Sequence, residues 1–560
     1  MSKQTVNFLE LFKEKKYSTI ISIIEDKLNE NQRTPGLLNL KGVCRMMLSK
    51  SNDTIKLAID DFRNSYHKET NKKKSIEQIK NLINASVIFF DNEFTKNENA
   101  LNGNFFQEIN SIYEENKELF EKNLDLMKTI LKVFRRTSNV KNIIKYLEKI
   151  IQLDPDPDAM ASYNYFNNYL YDWSQSDFLD NAKKLNGKLS LYNSDELINL
   201  KTKKDNKINL GFVSSDIRSK HSVTYFLRSV MSNYDNNSFK IFLYHNHNVE
   251  DDTTKEFENY ASKTQRISKL KDQEVINMVR KDGIDIIVDL NGFSSNHRLA
   301  LFKNRLAPIQ ILWCGYTNTL GLKEMDYLIV DKNLIKPTEE NLYNEKVIYL
   351  PSIWNCHSGY KHDRKENDTP SKKNQFITFG SFNNFKKIND EVIEVWSQIL
   401  KKVKNSRLML KTSVATSQEL YEEKFKKLGV LSSITFLKYN KNFDDHLNEY
   451  KKIDIALDTF PWNGVTTSFE AIWMNVPVIV MDGYNFNSRC GSSINKNLNL
   501  TSLIGENKED YVNKAVSLAQ NRQMLLNIRK DLFKNALKSP LFDQSKFSKD
   551  FFSSLEKIYN

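Results

Sequence analysis

Residues 457–481 read LDTFPWNGVTTSFEAIWMNVPVIVM, and the order of apolar and polar residues in this segment is the most informative pattern in the chain. It begins with an apolar strand ending at Asp458, continues through a polar turn to a helix starting at Thr466 and Thr467, and ends in a second buried strand. A strand, turn and helix in this order direct hydroxyls and free backbone N–H groups toward one spot, backed by the helix dipole. That spot suits an anion such as phosphate. The alternative is that the two threonines only cap their own helix.

Short apolar runs of the same kind recur on both sides of this stretch and alternate with helical patterns, which is typical of parallel sheets. A polar stretch at 359–375 separates them into two series. We therefore predict two Rossmann-like lobes, at residues 201–365 and 366–560, whose ligands bind beyond the carboxyl ends of the strands. The predicted strands are 208–215, 239–245, 284–290, 309–313 and 347–351 in the first lobe, and 376–382, 407–412, 433–438, 453–459 and 476–481 in the second.

Residues 1–200 have a different pattern, with apolar residues three and four apart and few β-branched runs. Gly42, Ala58 and Phe62 resemble part of a tetratricopeptide repeat, so we predict an α-helical solenoid here. The alternative is an irregular helical domain without true repeats. The segments that look like paired helices are 18–31, 36–50, 52–67 and 139–159.

Two patterns that resemble metal sites are interpreted otherwise. Asp154, Asp156 and Asp158 alternate with prolines, which end helices, while aspartate caps them. The four cysteines are far apart and form no C-x-x-C pair, so neither a disulfide framework nor a zinc site is expected. We predict no metal. The cysteines are Cys44, Cys314, Cys356 and Cys490.

Composition limits the classes of protein that this chain can represent. With 560 residues, 40% hydrophobic and 27% charged, it is expected to be multidomain and globular. No apolar run approaches the roughly 18 residues of a membrane span, and residues 1–18 carry charges where a signal peptide would be apolar, so we expect a cytoplasmic protein. The net charge is +12, but lysines alternate with acidic residues along helices, which disfavours nucleic acid as a partner.

Candidate site residues follow the predicted strands of the first lobe. SSDIRSKHSVTYF (214–226) carries His221, a residue able to exchange a proton with a bound hydroxyl or phosphate. The stretches at 289–298 and 305–321 contribute Gly292 and Gly315, glycines placed where the backbone approaches a neighbour closely.

Two further motifs belong to the second lobe. In GSFNNFKKI (380–388), Asn384 can hydrogen-bond a base or ribose while Lys387 neutralises a diphosphate; the alternative is an Asn cap and an exposed lysine. Near Thr466 and Thr467, the polar candidates are Asn463, Glu470 one helical turn later, and His446 upstream. A carboxylate on ribose hydroxyls beside a positive helix end is a recurrent nucleotide-binding arrangement.

In this order, the four motifs resemble the protein O-glycosyltransferases of the O-GlcNAc transferase and SPINDLY group, which are inverting GT-B enzymes. The resemblance covers roughly residues 155–560, and the helical region also fits, because the family carries tetratricopeptide repeats that present protein substrates. It implies an active-site histidine and a set of donor contacts. These are His221 as the active-site histidine, Lys387 on the diphosphate, Asn384 as the neighbouring amide, His446 near the nucleotide base, Thr466 and Thr467 on the phosphates, and Glu470 on the ribose.

The resemblance leaves the donor open. Phe443 stands where the O-GlcNAc transferase pattern has a lysine, and Glu470 replaces an aspartate, as in SPINDLY, whose plant form uses GDP-fucose. The expected activity is transfer of GlcNAc from UDP-GlcNAc to Ser or Thr of proteins, without a metal; the alternatives are GDP-fucose, a lipid, glycan or small-molecule acceptor, and a scaffold with an inactive transferase half. A lysine and a helix end at the leaving group do the work of a divalent cation.

Overall fold

The computed structural model describes residues 6–96, 106–191, 207–362, 369–411, 415–438, 440 and 442–560. The chain divides into two compact units. The first comprises Met1–Asp154 with Thr412–Glu423, and the second Pro155–Lys411 with Lys424–Asn560. The predicted boundaries near residues 200 and 365 lie outside the described residues, as does most of the lysine-rich link at 201–207.

The first unit is helical, as the apolar spacing predicts. Successive helices pack in pairs, with α3 (Pro35–Leu48) against α4 (Asn52–Lys68), α4 against α5 (Ile76–Lys96), and α8 (Leu124–Arg136) against α9 (Val140–Leu153). This is the TPR-like solenoid. Within the described part of Met1–Asp154, the remaining helices are Phe8–Lys13 (α1), Tyr17–Ser22 (α2), Gln107–Glu115 (α6) and Lys117–Lys122 (α7), and a π-helical turn, Ile23–Lys27, continues α2.

Two details of sequence explain the helix packing and the helix ends. A Cβ at Gly42 would lie 2.6 Å from the ring of Phe62, so only glycine lets α3 approach α4 this closely. The chain leaves α9 at Asp154, and the side chain of Asp156 accepts the backbone N–H of Ala159 at 2.9 Å to cap the next helix, α10 (Pro157–Asn167). The assignment of these aspartates to helix ends is confirmed for Asp154 and Asp156.

The second unit contains two parallel sheets. The first sheet has the strand order β3-β2-β1-β4-β5-β6-β7, so the order reverses between β1 and β4. Its strands are Ile208–Ser214 (β1), Phe239–His245 (β2), Lys263–Arg266 (β3), Ile286–Asp289 (β4), Ile309–Leu312 (β5), Tyr327–Asp331 (β6) and Lys346–Leu350 (β7). Its helices are Ser222–Met231 (α12), Asp252–Tyr260 (α13), Asp272–Lys281 (α14) and Leu299–Lys303 (α15).

The second sheet repeats this arrangement. Its order is β10-β9-β8-β11-β12-β13, with the reversal between β8 and β11. The strands are Thr378–Ser381 (β8), Arg407–Lys411 (β9), Ile434–Leu437 (β10), Ile455–Leu457 (β11), Val478–Met481 (β12) and Ile504–Gly505 (β13). The helices are Pro370–Asn374 (α16), Asp390–Lys402 (α17), Phe443–Glu449 (α19), Thr466–Trp473 (α20), Cys490–Asn497 (α21), Lys508–Gln520 (α22), Arg522–Leu537 (α23) and Gln544–Tyr559 (α24). One further helix, Ala415–Lys427 (α18), begins in the segment assigned to the first unit and ends in the second.

Every predicted strand is present, and β2 has the predicted bounds. Three strands were not predicted. β3 is polar throughout, β13 has only two residues, and β6 (YLIVD) is an apolar run like those of the predicted strands. The last helix, α24, packs on α12 of the first sheet, where the Ser548 hydroxyl donates to the Val230 carbonyl at 3.3 Å.

Residues 155–191 belong to the second unit and connect its two sheets. The amide oxygen of Asn168 accepts hydrogen bonds from Asn318 of the first lobe (3.0 Å) and from Asn487 of the second (2.6 Å). In the following helix, α11 (Gln175–Asn186), Gln175 donates to Asn318 (2.8 Å) and accepts from Asn485 (3.1 Å). We call Asn168 and Gln175 the amide bridge, because both are buried and both bond to the two lobes.

Among the described residues, each helix is either too short or too polar to cross a bilayer.

Candidate functional site

The carboxyl ends of both sheets border one cavity of about 470 Å³. In open parallel sheets, ligands bind where the strand order reverses, and here the loops after β1 and β4 lie on one side and those after β8 and β11 on the other. Six of the predicted site residues line this cavity. They are His221, Gly315, Asn384, Lys387, Thr466 and Thr467.

On the first-lobe side, Asn291 connects the loops after β4 and β1. Its amide oxygen accepts from the Ser215 backbone N–H, and its amide nitrogen donates to Asp216, both at 2.8 Å. Asp289, the last residue of β4, accepts the backbone N–H groups of Asn291 (2.9 Å) and Gly292 (3.1 Å). Burial nevertheless raises the pKa of Asp289 to about 6.

These bonds position Asp216 beside His221. His221 precedes α12 as its N-cap residue, and its carbonyl accepts from the Thr224 hydroxyl at 2.6 Å. The imidazole Nε2 lies 3.3 Å from Asp216 Oδ1. Burial lowers the pKa of His221, while Asp216 opposes this shift, so the imidazole is neutral at pH 7. A neutral imidazole held by a carboxylate can accept a proton.

On the second-lobe side, Asn383 connects the loops after β8 and β11 in the same way. Its amide nitrogen donates to Asp458 Oδ1 (3.2 Å), and its amide oxygen accepts from the Thr467 hydroxyl (2.9 Å). Asp458 directly follows β11 and accepts the backbone N–H groups of Thr459 (2.8 Å) and Gly464 (2.7 Å). Burial raises the pKa of Asp458 to about 6.

Lys387 supplies the cation of this wall. Its Nζ donates to the backbone carbonyl of Asn463 at 2.6 Å and lies 5.1 Å from the centre of the Trp462 ring. Burial lowers the pKa of Lys387 to about 8, against the opposing charge of Asp458. The ammonium therefore remains mostly protonated at pH 7 and attracts an anion into the cavity.

Helix α20 begins at Thr466, as the sequence predicts. The Thr467 hydroxyl donates to Asn383 and does not cap its own helix, so the simple capping alternative is wrong for this residue. The first backbone N–H groups of a helix have no partner within it, and both threonines line the cavity. Together with Lys387, this helix end forms a candidate anion site.

His446 and Glu470 lie together, but they are not among the described residues that line the cavity. His446 Nε2 donates to Glu470 Oε2 at 2.9 Å, the Tyr450 hydroxyl donates to the same carboxylate at 2.8 Å, and Lys411 bonds to His446 Nδ1. In this structure the Glu470 carboxylate faces Tyr450 and His446, and whether Glu470 and Thr466 face one ligand stays a prediction. The base and ribose contacts stay predictions.

Two other predicted residues have a positioning role. The side chain of Asn463 is fully buried, donating to the Thr459 carbonyl (2.9 Å) and accepting from the Gly491 N–H (3.1 Å). It thereby fixes the carbonyl that holds Lys387. Asn384 is exposed at the edge of the cavity and caps a 3-10 turn by accepting the backbone N–H of Lys386 at 3.0 Å, as the capping alternative predicts.

The two glycines are required by packing. Gly292 has φ +55°, and a Cβ there would lie 2.3 Å from that of Tyr316. A Cβ at Gly315 would lie 1.8 Å from the Leu290 carbonyl oxygen. Both positions thus allow the loops after β4 and β5 to touch, but only Gly315 also lines the cavity.

Several residues that line the cavity were not predicted from the sequence. Asp216 lies in the same motif as His221 (214–226), five residues before it, and this spacing could have indicated a carboxylate–histidine pair. Tyr165 and Tyr169 come from the segment assigned to the solenoid, and the aromatic run ASYNYFNNYLYDW (161–173) was the signal there. Trp462 contacts both tyrosines, with ring centres 5.1 and 4.7 Å apart.

Two doubly wound lobes around a cavity that pairs an anion site with a histidine and carboxylate define the class of two-lobed GT-B glycosyltransferases. The chain belongs to glycosyl transferase family 41, whose profile matches residues 190–362 and 363–551. The predicted family and fold are thus confirmed.

Individual relatives agree with this assignment. Tomato (Solanum lycopersicum) "Probable UDP-N-acetylglucosamine--peptide N-acetylglucosaminyltransferase SPINDLY" is 33% identical, over 62% of this chain and 38% of its own length. The rice protein of the same name is 31% identical over 74% of this chain and 46% of its own length, and Arabidopsis thaliana SEC is 27% identical over 63% and 37%. The chain thus spans less than half the length of these relatives.

The fold also matches a solved structure, the O-GlcNAc transferase of Thermobaculum terrenum in a point-mutant form. The TM-score is 0.74 and the identity 22%, with 100% of this chain and 98% of the other covered. At this identity the likeness concerns the fold alone.

Proposed function

We propose that this chain is an inverting glycosyltransferase that moves a sugar from a nucleotide sugar to Ser or Thr hydroxyls of proteins. The observation that carries the proposal is the division of chemistry within one cavity. Lys387 and the N-terminus of α20 form an anion site on the second lobe, and His221 with Asp216 forms a proton-accepting pair on the first. The names of the relatives, which describe transfer of N-acetylglucosamine to peptides, support the same reaction.

In the proposed reaction, the acceptor hydroxyl oxygen attacks the anomeric carbon of the sugar while the bond from that carbon to the diphosphate breaks. The electron pair leaves with the diphosphate, where Lys387 and the N–H groups at the start of α20 stabilise the new charge. The hydroxyl proton passes to the His221 imidazole, whose charge Asp216 then stabilises. Attack from the face opposite the leaving group inverts the anomeric centre.

We propose that no metal takes part, because Lys387 and the helix end provide positive charge at the leaving group. Among the described residues, no cluster of three or more His, Cys, Asp or Glu side chains is placed to hold a cation.

For the donor we propose UDP-GlcNAc, in agreement with the names of the relatives. GDP-fucose is a second candidate because of Phe443. Its ring packs against Tyr360 and His446, with centres 5.4 and 5.7 Å apart, so this position offers an aromatic surface where a lysine would offer a cation.

The helical unit suits a protein acceptor, since paired-helix solenoids present extended surfaces to polypeptides. Removing residues 1–154 tests this part of the proposal. We expect glycosylation of protein acceptors to be lost while hydrolysis of the donor continues; a truncated enzyme that still modifies proteins as fast as the full chain would contradict it. The cytoplasmic location stays a prediction.

The decisive experiment is a titration of the purified chain with UDP-GlcNAc, GDP-fucose and UDP-glucose in EDTA, followed by thermal stabilisation and release of nucleotide diphosphate. We expect stabilisation and turnover with UDP-GlcNAc. If only GDP-fucose is turned over, the proposed donor is wrong but the proposed glycosyl transfer stands. No response to any donor would favour the scaffold interpretation, and activity restored only by a divalent cation would refute metal independence.

A further inference from the structure

Two buried side chains of the cavity have oxygen atoms that the structure leaves without a partner. Asn355 is 1% exposed and Thr317 is 7% exposed, and both line the cavity. Within the part of the chain that is described, neither Asn355 Oδ1 nor Thr317 Oγ1 has a hydrogen-bond partner. A buried polar atom without a partner is destabilising, so at a cavity wall such atoms indicate a ligand that completes the bonds.

The backbone that carries Thr317 is held on both sides. Tyr316 accepts a hydrogen bond from the Asn168 amide at 3.3 Å, and Asn318 donates to Asn168 at 3.0 Å. These two neighbours belong to the contacts of the amide bridge. Thr317 is therefore fixed in place, although its hydroxyl has no bond of its own.

Asn355 is fixed in a similar way. The preceding residue, Trp354, donates its backbone N–H to Asp331 at 3.1 Å and accepts the Trp313 indole N–H at 3.0 Å. Trp313 directly follows β5, the strand that leads to Thr317, and both tryptophans are fully buried. The segments carrying Thr317 and Asn355 are thus tied together.

We propose that Thr317 and Asn355 bind the sugar of the donor and determine which sugar is accepted. This inference rests on the proposed function. The anion site places the diphosphate against the second lobe, and His221 marks the reacting carbon on the first, so the sugar lies between them. A hydroxyl and an amide in the lining of one cavity can each donate and accept, so together they complement a polar sugar substituent and reject an apolar one.

The test uses the near-isosteric variants Thr317→Val and Asn355→Leu and their double variant. We expect the Kd for UDP, which lacks the sugar, to stay within about twofold of wild type. We expect kcat/KM for UDP-GlcNAc to fall about tenfold in each single variant, the loss of one hydrogen bond, and the preference for UDP-GlcNAc over UDP-glucose to change.

Thr378→Val is the matched control, because Thr378 is equally buried and its hydroxyl also lacks a partner among the described residues, but it does not line the cavity. Binding of UDP that weakens as much as binding of UDP-GlcNAc would overturn the inference, as would an unchanged sugar preference. Wild-type protein that binds no nucleotide sugar would refute the proposed function itself, before any variant is compared.

Discussion

The loops at the two points of strand reversal share one construction. In each lobe an asparagine spans the reversal, Asn291 between the loops of β4 and β1, and Asn383 between those of β8 and β11. In each, a buried aspartate at a strand end, Asp289 or Asp458, accepts backbone N–H groups of its own loop, and burial raises its pKa to about 6. The common frame holds the loops and leaves the cavity-facing residues to set the chemistry.

Those cavity-facing residues differ in charge and in purpose. The second lobe adds Lys387 and the start of α20, both electropositive, and the first lobe adds His221 beside Asp216, a pair suited to receive a proton. One backbone arrangement thus supports both the proposed site for the leaving group and the proposed site for the nucleophile. We therefore expect substitutions at Lys387 to affect charge stabilisation and substitutions at His221 to affect proton transfer.

The largest effect is expected at Lys387. Lys387→Ala removes the cation that faces the departing diphosphate, and we expect kcat to fall about 10²–10³-fold. The neighbouring Lys386→Ala provides the matched control and is expected to stay within about twofold of wild type. Single-turnover kinetics with saturating donor measure the loss, and near-normal turnover would remove Lys387 from the mechanism.

The next effect is expected at His221. His221→Ala deletes the proton acceptor, and we expect the transfer rate to fall about 10²-fold, the lower end of what general bases contribute. His297→Ala, another histidine of the first lobe that does not line the cavity, serves as the control. A residual rate above about one tenth of wild type would mean that His221 only positions the acceptor.

A third prediction uses pH to isolate the contribution of Lys387 in the second lobe. Burial lowers the pKa of Lys387 to about 8, so the protonated form is lost as the pH rises through 8. We expect kcat/KM for the donor to fall about tenfold per pH unit above that value, because kcat/KM reports the free enzyme. In Lys387→Arg we expect this decrease of kcat/KM at alkaline pH to disappear from the measurable range, because arginine stays protonated there. An unchanged decrease would mean that another group causes it.

The smallest effect is expected at Asp289 and Asp458, the two buried aspartates that hold the loops of the two lobes. The folded-state pKa of about 6 at Asp289 and Asp458 lies above the unfolded value of about 3.9, so the native state binds more protons between these pH values. The stabilisation is complete below pH 3.9 and is lost as the pH rises through 6. Asp289→Asn and Asp458→Asn are therefore each expected to be more destabilising at pH 5 than at pH 7, by about 1 kcal/mol.

Urea unfolding of both variants at the two pH values measures this difference. Equal destabilisation at pH 5 and pH 7 would contradict the raised pKa. A difference for only one of the two aspartates would break the equivalence of the two loops.

The sequence predicted what local pattern controls. The apolar runs located ten of the strands, the T-T pair located the start of α20, and Asp156 located that of α10. It did not predict Tyr165 and Tyr169 at the cavity, nor the turn of Glu470 toward Tyr450. These depend on contacts between distant parts of the chain, which periodicity and capping rules do not contain.

The amide bridge makes part of the junction between the two lobes insensitive to ionic strength. Asn168 and Gln175 join the lobes through uncharged groups, so added salt does not screen these bonds as it screens ion pairs. The ion pair between Arg489 and Glu339 also joins the two lobes, and it is the kind of contact that salt can screen. High salt should therefore weaken this ion pair and the binding of an anionic donor, while the amide bonds still join the lobes.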